Sequence, residues 1–438
     1  MTIKEEQKAV AYTETLHWPP YTYRDYPEVI SETLNQFEEL LQTENTSKTR
    51  KELQPWIPFC NSKCSFCYFP TELITQNKMD IYLEALKKCL MIYAKTKYVQ
   101  STEFSEIYLA GGTPSLMSAD QTVELLKFCE KHFNMSDKKE IKVTGCTHDF
   151  DYKKLKVLSE YGVDQLDLGV QTFDDNLRQL LNLRQKASEV EKTITNARKL
   201  GLRVSIDLMY NLPGQTVEIV NKDIQKTLNL NVESADCYAL ELLPETKLFN
   251  QIQSGELPLK GKEEIETKMY QETQYIFKNA GYQKTCHNRF SRIKEDFQEP
   301  CMEVIGTGAG FFMGNIGKFS YTDLDSSDSY IQAVSKGKFP ISKLWIPSLE
   351  DEMGKMMMNL LIRRPVNKKE FKNKFGKLPE EAFGRTITKL EKKGLIEINE
   401  KEITLTELGD IWRINICWEF FQPKKNLKKS TRTLTESK

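Results

Sequence analysis

Three closely spaced cysteines carry the clearest chemical signal in this sequence. Cys60, Cys64 and Cys67 have the spacing C-x3-C-x2-C, and an aromatic residue, Phe66, precedes the last of them. Three thiolates on one loop can each hold one iron of a [4Fe-4S] cluster, which leaves the fourth iron without a protein ligand. That iron can chelate the amino and carboxylate groups of a small molecule, and an electron passed through the cluster can then break a bond in it.

Two other uses of clustered cysteines are disfavoured. A structural zinc site needs four nitrogen or sulfur ligands, and the chain has no second CxxC or HxxxH motif to complete one. A disulfide needs an oxidising compartment, and the first residues, Met1-Thr2-Ile3-Lys4-Glu5-Glu6, lack the apolar stretch of a signal peptide. We therefore expect a reduced, cytoplasmic protein. Most of the other cysteines are predicted to be small buried hydrophobic residues: Cys89, Cys129, Cys146, Cys237, Cys286, Cys301 and Cys417.

Length and charge indicate a multi-domain enzyme with an ordinary surface. The 438 residues suggest about two to three domains. The 62 basic and 62 acidic side chains leave no net charge to attract nucleic acid or an anionic membrane. No run of 18 apolar residues occurs, so the sequence predicts no membrane span.

Short β-branched runs alternate with amphipathic helical patterns along the first 240 residues. The strand patterns lie at 53–57, 106–110, 140–144, 165–170, 203–210 and 236–240, and the helical patterns near 78–96, 118–133, 151–161, 187–200 and 216–229. Repeated strand–helix–strand units favour parallel pairing through right-handed crossovers. We predict an α/β fold: a partial (β/α)6 TIM-type barrel with an N-terminal extension and a C-terminal winged-helix-like domain.

Five segments follow from these patterns. They are an N-terminal extension (1–51), the barrel (52–255), a barrel-closing region (256–345), the winged-helix-like domain (346–422) and a disordered tail (423–438). The winged-helix prediction rests on helices followed by two strands around a polar turn within 394–406. Acidic residues surround its lysines, which disfavours DNA binding and favours a substrate lid.

Two loops are predicted to meet at the barrel mouth. The catalytic and ligand-binding residues of such barrels lie on the loops that follow the strands. The cysteine loop follows the first strand, and Gly111-Gly112-Thr113-Pro114 follows the second. Backbone amides of a Gly-Gly turn can approach a ligand that a side chain would push away.

Several further motifs accompany these two loops in order along the chain. They are Leu168-Gly169-Val170-Gln171-Thr172-Phe173, the stretch from Ser205 to Gln215, and Gly306-Thr307-Gly308-Ala309-Gly310. Together with the cysteine loop and the Gly-Gly turn, they resemble the radical S-adenosylmethionine (SAM) enzymes related to oxygen-independent coproporphyrinogen III oxidase. The resemblance covers residues from about 53 to about 420.

The resemblance implies specific roles for residues of this chain. Cys60, Cys64 and Cys67 would ligate the [4Fe-4S] cluster. The residues implied to contact SAM are Phe66 near the adenine, Gly111, Gly112 and Thr113 at the methionine amino group, and Gln171 and Asp207 at the ribose. Backbone at Met209, Gly308, Ala309 and Gly310 would line a second SAM site. The alternative for Asp207 and Gln171 is a structural role, in which each is a buried polar side chain hydrogen-bonded within the barrel interior.

The resemblance also implies a radical reaction. A flavodoxin-type or ferredoxin-type donor would reduce the cluster, which would split SAM into methionine and a 5′-deoxyadenosyl radical that attacks a substrate held in the barrel. Departures from the oxidase pattern at Gln54, Trp56, Thr144 and Leu183 disfavour oxidative decarboxylation of a porphyrinogen.

Three branches of the family remain as alternatives. The aromatic preamble 19–27 and the stretch 66–71 favour a methyltransferase that uses two SAM molecules to methylate an sp2 carbon of a conjugated small molecule. The alternatives are a coproporphyrinogen III dehydrogenase-like oxidoreductase, and a haem chaperone or tetrapyrrole-binding protein on the same scaffold. His287 could be a ligand or proton carrier, although an isolated histidine is more often structural.

Overall fold

The structure, a computed structural model, describes residues 12, 15–17, 26–75, 77–293, 303–312 and 314–421. Most of the aromatic preamble, Cys301 and the predicted disordered tail lie outside the described residues.

Seventeen strands are found in the described part of the chain. They are β1 (Lys51–Ile57), β2 (Phe59–Cys60), β3 (Glu72–Leu73), β4 (Glu103–Gly111), β5 (Asn134–Cys146), β6 (Gln165–Gln171), β7 (Arg203–Tyr210), β8 (Ser234–Ala239), β9 (Gln283–Lys284), β10 (Arg289–Ser291), β11 (Glu303–Thr307), β12 (Gly314–Ile316), β13 (Phe319–Asp323), β14 (Ile341–Trp345), β15 (Val366–Asn367), β16 (Ile396–Ile398) and β17 (Glu402–Leu405).

The α-helices of the same residues mostly follow the predicted pattern. They are α1 (Ser31–Leu41), α2 (Lys78–Ala94), α3 (Lys97–Gln100), α4 (Ala119–His132), α5 (Tyr152–Tyr161), α6 (Asp175–Leu180), α7 (Ala187–Lys199), α8 (Val217–Leu230), α9 (Lys247–Gln253), α10 (Glu263–Asn279), α11 (Ser327–Ser335), α12 (Leu349–Arg363), α13 (Lys368–Phe375), α14 (Pro379–Lys392), α15 (Glu407–Ile411) and α16 (Arg413–Phe420). None of them is long and apolar enough to cross a lipid bilayer.

One twelve-stranded sheet forms the partial barrel, in the order β14-β13-β12-β11-β1-β4-β5-β6-β7-β8-β10-β9. The six predicted strands are β1, β4, β5, β6, β7 and β8, and neighbours among them pair in parallel. The predicted α/β partial barrel is therefore confirmed. The sequence missed β11, which pairs in parallel with the other side of β1. Its C-terminal end lies at the same mouth as the cysteine loop.

Local sequence signals explain where the barrel helices begin. Ser118 caps α4, because its hydroxyl accepts the Gln121 amide while the Gln121 side chain accepts the Ser118 amide, forming a capping box. Asp151 caps α5 in a similar way by accepting the Lys154 amide. Each helix then buries one apolar stripe against the sheet.

The barrel interior is charged where alternate residues of neighbouring strands face one another. Lys142 on β5 lies 3.0 Å from the Glu106 carboxylate on β4. Burial, followed by the charge of Glu106, raises the pKa of Glu52 on β1 to about 8. The polar residues of the fully buried strand β1 therefore face this charged interior. The apolar residues between them pack against the helices.

A second hydrophobic cluster lies in the C-terminal part of the chain. Helices α12 to α16 pack around the predicted hairpin, in which β16 and β17 pair antiparallel, and β15 adds a third strand. Trp412 and Phe420 are buried in this core. The division of the chain at 345/346 stays a prediction.

Candidate metal centre at the barrel mouth

The cysteine loop is closed at its base by a short parallel pair of strands. β2 and β3 pair through Phe59–Glu72 and Cys60–Leu73, and the Ile74 amide donates to the Cys60 carbonyl at 3.0 Å. Within the loop, the Cys67 amide donates to the Cys64 carbonyl at 3.1 Å. The three thiols are thus presented by a compact turn at the carboxyl end of β1.

A segment that follows β6, residues 180–184, holds the outer side of this loop. Four hydrogen bonds join the two: Ser65 N to Leu181 O (3.0 Å), Ser65 Oγ to Leu180 O (3.2 Å), Asn182 Nδ2 to Lys63 O (3.0 Å) and an Arg184 guanidinium nitrogen to Asn61 O (3.2 Å). Asn182 has a left-handed backbone (φ 60°), which asparagine tolerates better than most residues. No local pattern indicates this support, because all four contacts span more than 100 residues.

The Gly-Gly turn packs directly on Cys60. A Cβ atom at Gly111 would lie 2.2 Å from the Ile57 carbonyl oxygen, and one at Gly112 would lie 3.0 Å from the Cys60 sulfur. The Thr113 hydroxyl donates to the same sulfur at 3.2 Å. Glycine is therefore required at both positions so that the end of β4 can approach the cysteine loop.

The three thiols suit a multi-iron cluster and do not suit a single metal ion. Burial, followed by the charges of Cys67 and Cys60, raises the pKa of Cys64 to about 12, and burial also raises the pKa of Cys67. Thiolates this close together need bound positive charge to become stable. No three Cys, His, Asp or Glu side chains in the described ranges converge on one ion. A [4Fe-4S] cube instead gives each thiolate its own iron.

Phe66 and Met209 lie in one apolar cluster beside the cysteine loop. Met209, at the end of β7, is buried with Leu177, Leu212 and other leucines, and Phe66 packs against this cluster. The position of Phe66 is compatible with its predicted place near an adenine ring. Both roles, and the second SAM site predicted at Met209, stay predictions.

Gln171 occupies a strained position at the end of β6. Its φ is 68°, in the left-handed region that is unusual for glutamine, and a register shift interrupts the β6–β7 pairing between Gly169 and Gln171. Such bulges re-aim side chains and occur often next to active sites. The contact of Gln171 with SAM stays a prediction.

Asp207 lies on β7 in register with Asp236 on β8. Burial, followed by the charges of Asp236 and Asp167, raises the pKa of Asp207 well above its usual range, while Arg289 opposes that shift. Arg289 instead forms an ion pair with Asp236. The raised pKa favours the neutral carboxyl, which can both donate and accept a hydrogen bond. This suits the predicted ribose contact, which stays a prediction.

The three residues after β11 are already engaged by the protein. The Gly308, Ala309 and Gly310 amides donate to the Asp323 carboxylate (3.0 Å), the Tyr82 hydroxyl (2.9 Å) and the Leu324 carbonyl (2.8 Å), respectively. A Cβ atom at Gly308 would lie 2.4 Å from the Trp56 carbonyl oxygen. Packing against β1 thus explains the glycine at 308, and the predicted second SAM site here gains no support from the amides.

Five aromatic side chains, here called the aromatic wall, form a connected cluster next to the cysteine loop, with Phe311 fully buried beneath it. Ring centroids are 5.9 Å apart for Trp56–Phe311, 5.5 Å for Trp56–Phe312, 6.0 Å for Phe69–Phe312 and 5.0 Å for Tyr68–Phe69. Tyr68 and Phe312 remain 36% and 39% exposed. The sequence did not indicate Phe311 or Phe312, because they follow β11, which was itself missed.

His287 lies away from the cysteine loop, at the junction of the barrel edge and the C-terminal helices. It lines a small cavity of about 60 Å³ together with Tyr270, Asp410 and Arg413. Burial, followed by the charges of Arg413 and Lys284, lowers the pKa of His287 to about 3. It is therefore neutral, and the cavity has room for only about two waters.

Two protein families match this chain. Residues 55–227 match the radical SAM superfamily, and residues 348–411 match the HemN C-terminal domain. The chain therefore carries both domains. The superfamily match implies a [4Fe-4S] cluster and SAM.

Similar proteins place the chain close to the HemN and HemW families. It is 29% identical to the haem chaperone HemW of Bacillus subtilis (strain 168), over 81% of this chain and 95% of that protein. It is 24% identical to the anaerobilin synthase of Escherichia coli O157:H7, over 69% and 71%. The fold matches coproporphyrinogen III oxidase (HemN) from Escherichia coli, with TM-score 0.81, 22% identity and coverage of 94% and 98%. These relatives do not support the methyltransferase interpretation.

Proposed function

We propose that this chain is a radical SAM protein that binds a [4Fe-4S] cluster and SAM at the barrel mouth and holds haem or a related tetrapyrrole against the aromatic wall. The observation that carries the proposal is the position of this wall beside the three thiols. The relatives named as haem chaperones and as an anaerobilin synthase support the same class of ligand.

The chain's own residues would hold the cofactors. Cys60, Cys64 and Cys67 would each bind one iron, and the Gly111–Gly112 turn would bring backbone close to SAM. When bound, the reduced cluster supplies an electron for cleavage of SAM. The protein contributes position and exclusion of water, which restrict a radical to one substrate bond.

The aromatic wall suits a flat conjugated ligand. Tyr68 and Phe69 are stacked, the other ring pairs are tilted or edge-on, and Tyr68 and Phe312 remain partly exposed. Burying such a ring against a macrocycle contributes hydrophobic free energy plus about 0.5–1.5 kcal/mol of aromatic pairing. The His287 cavity is far too small for haem.

The barrel interior also has an unsatisfied amide. Gln54, on β1 two residues before Trp56, is 1% exposed, and neither its Nε2 nor its Oε1 has a hydrogen-bond partner among the described residues. A buried amide without partners costs about 1–3 kcal/mol. A ligand with both donors and acceptors, placed in the barrel, would satisfy it. A metal-free tetrapyrrole has both, because its propionates accept hydrogen bonds and its pyrrole N–H groups donate them.

The first experiment tests the cluster. Anaerobically reconstituted protein is expected to contain four irons and four sulfides per chain and to form 5′-deoxyadenosine with dithionite and SAM. The Cys64→Ala variant should lose both properties, whereas Cys129→Ala, which changes a buried cysteine on α4, should keep them. Reconstituted protein that takes up no iron would overturn this part of the proposal.

The second experiment tests the ligand. Haem titrated into the protein should shift the Soret band, and binding should survive Cys64→Ala. The Phe312→Ala variant should bind haem about 5- to 30-fold more weakly, corresponding to about 1–2 kcal/mol. Tyr275→Ala, which removes a 67% exposed ring on α10, is the matched control. Equal affinity of the Phe312 and Tyr275 variants would remove the aromatic wall as the haem site.

Methyl transfer is tested in the same preparation. Turnover with methyl-labelled SAM and candidate conjugated substrates distinguishes the branches of the family. Label in a product would restore the methyltransferase function that the sequence predicted, and 5′-deoxyadenosine without label transfer would favour oxidation.

A further inference from the structure

A fourth cysteine lies at the barrel mouth beside the three of the C-x3-C-x2-C motif. Cys89, Cys129, Cys237 and Cys417 are buried, as the sequence predicted for most cysteines outside the motif, whereas Cys146 is partly exposed like the three motif cysteines. The prediction of burial for most of these cysteines holds, and Cys146 is one of those that differ. It ends β5, two residues after Thr144, and strand alternation places both on the same face of the sheet.

Several contacts hold Cys146 against the Gly-Gly turn. Its amide donates to the Ser115 hydroxyl at 3.0 Å, directly after that turn. The neighbouring Gly145 packs so tightly on Ser115 that a Cβ atom at Gly145 would lie 2.3 Å from the Ser115 side chain. The hydroxyl of Thr113, two residues before Ser115, donates to the Cys60 sulfur at 3.2 Å, and Thr113 is also among the groups that lower the pKa of the Cys146 thiol.

The surroundings of Cys146 include two of the motif thiols. Burial raises the pKa of Cys146, and Cys64, Asp149 and Cys60 are the charges that raise it further. On the other side, β5 pairs with β6 so that Cys146 is in register with Gly169, two residues before Gln171. The fourth thiol thus lies between the cysteine loop and the predicted SAM contacts.

We propose that Cys146 ligates the fourth iron of the cluster when SAM is absent, and that SAM displaces it. In the resting form the Cys146 thiol releases its proton to solvent and forms a sulfur–iron bond. When SAM binds, its amino and carboxylate groups replace that bond, and the released thiolate takes up a proton. No electron is transferred in either step, and the inference rests on the cluster of the proposed function.

This exchange would protect the cluster between turnovers. An iron without a protein ligand is the one that an oxidant removes first, which leaves a [3Fe-4S] cluster. A fourth thiolate that can move in from β5 would retain that iron without closing the site to SAM.

The test measures iron retention and SAM affinity instead of turnover. Wild-type protein, Cys146→Ala and Cys146→Ser are reconstituted anaerobically and treated with limiting ferricyanide without SAM. Wild type should retain four irons, while both variants should lose one iron and show the EPR signal of [3Fe-4S]. SAM added beforehand should protect all three proteins equally. Without a competing thiolate, the variants should bind SAM at least several-fold more tightly.

Cys286→Ala is the matched control, because Cys286 is also partly exposed but contacts His287 instead of the cysteine loop. It should behave like wild type. Cys146 variants that keep the fourth iron and the wild-type affinity for SAM would overturn the inference. If the alanine variant does not fold, the serine variant decides, because its hydroxyl keeps a polar group near Thr113 but is a poor iron ligand. Wild-type protein without any cluster would instead refute the proposed function.

Discussion

The Gly112→Ala substitution tests whether the Gly-Gly turn positions the first cysteine. The added methyl group would lie 2.9 Å from the Phe59 carbonyl oxygen, 2.9 Å from Thr71 Cγ2 and 3.0 Å from the Cys60 sulfur. Carbon atoms in contact prefer about 3.5–4.0 Å, so the neighbours must move by about 0.5–1 Å. Gly112 itself cannot retreat easily, because its amide donates to the Ile57 carbonyl at 2.7 Å.

Both stability and metal binding should change. Overpacking of this kind costs about 1–3 kcal/mol, and binding constellations tolerate shifts of about 0.5 Å. We expect Gly112→Ala to fold, to unfold a few degrees below wild type, and to take up fewer irons per chain after anaerobic reconstitution.

The control for this experiment is Gly384→Ala. Gly384 lies within α14, and a Cβ atom there would have no neighbour within 4 Å. Because alanine favours helix over glycine, this change should be neutral or stabilise by up to about 1 kcal/mol. Wild-type iron content and melting temperature in Gly112→Ala would refute the reasoning, since the turn would then not constrain Cys60.

Three further predictions concern two buried groups, Asp410 and His287, and the exposed Asn182 that supports the cysteine loop. Burial alone would raise the pKa of Asp410, but the charges of Lys284 and Arg413 outweigh it and hold that pKa well below its usual range. The stabilising contribution of Asp410 is therefore full above about pH 4 and is lost as the pH falls further. Asp410→Asn should lower the unfolding temperature at neutral pH, because it leaves two buried cations without their carboxylate, at a cost of about 3–5 kcal/mol. Since the pKa of His287 is lowered to about 3, the unfolded chain binds a proton more readily, so stability should decline from about pH 6.5 downwards. Thermal melts of His287→Gln should lack this decline, and an equal pH dependence would contradict it. Asn182→Ala should loosen the cysteine loop more than Asn182→Gly, because alanine also disfavours the left-handed backbone, and iron loss in chelator measures the difference.

The barrel could be predicted because its signals are local. Parallel strands such as 203–210 are recognisable as β-branched runs, and helices such as 119–132 are recognisable from an apolar stripe and a cap. Each of these signals lies within a short stretch of sequence. The cysteine spacing is local in the same sense. By contrast, β11 is five residues long, and its pairing with β1 spans about 250 residues of chain. Nothing in its own sequence indicates that partner.

The site was predicted unevenly for the same reason. The cysteines and Gly111–Gly112 are recognisable from their spacing and order. Cys146 was missed because its neighbours at the mouth, Thr113 and Ser115, come from another strand's loop. Two of the five members of the aromatic wall were missed, since Phe311 and Phe312 reach Trp56 only through the β1–β11 pairing.

The two sides of the cysteine loop are supported by different parts of the chain. The residues that hold the thiols are therefore distinct from those proposed to contact the macrocycle. The Gly-Gly turn and residues 180–184 contact Cys60 and the backbone around Ser65, so changes there should affect the iron sites first. The aromatic wall contacts the loop through Phe69 and reaches β1 through Trp56, beyond the thiols. Substitutions at Phe312 are therefore expected to change the affinity for the proposed macrocycle while the thiols keep their positions. A scaffold built this way can keep one metal centre while the ligand beside it changes.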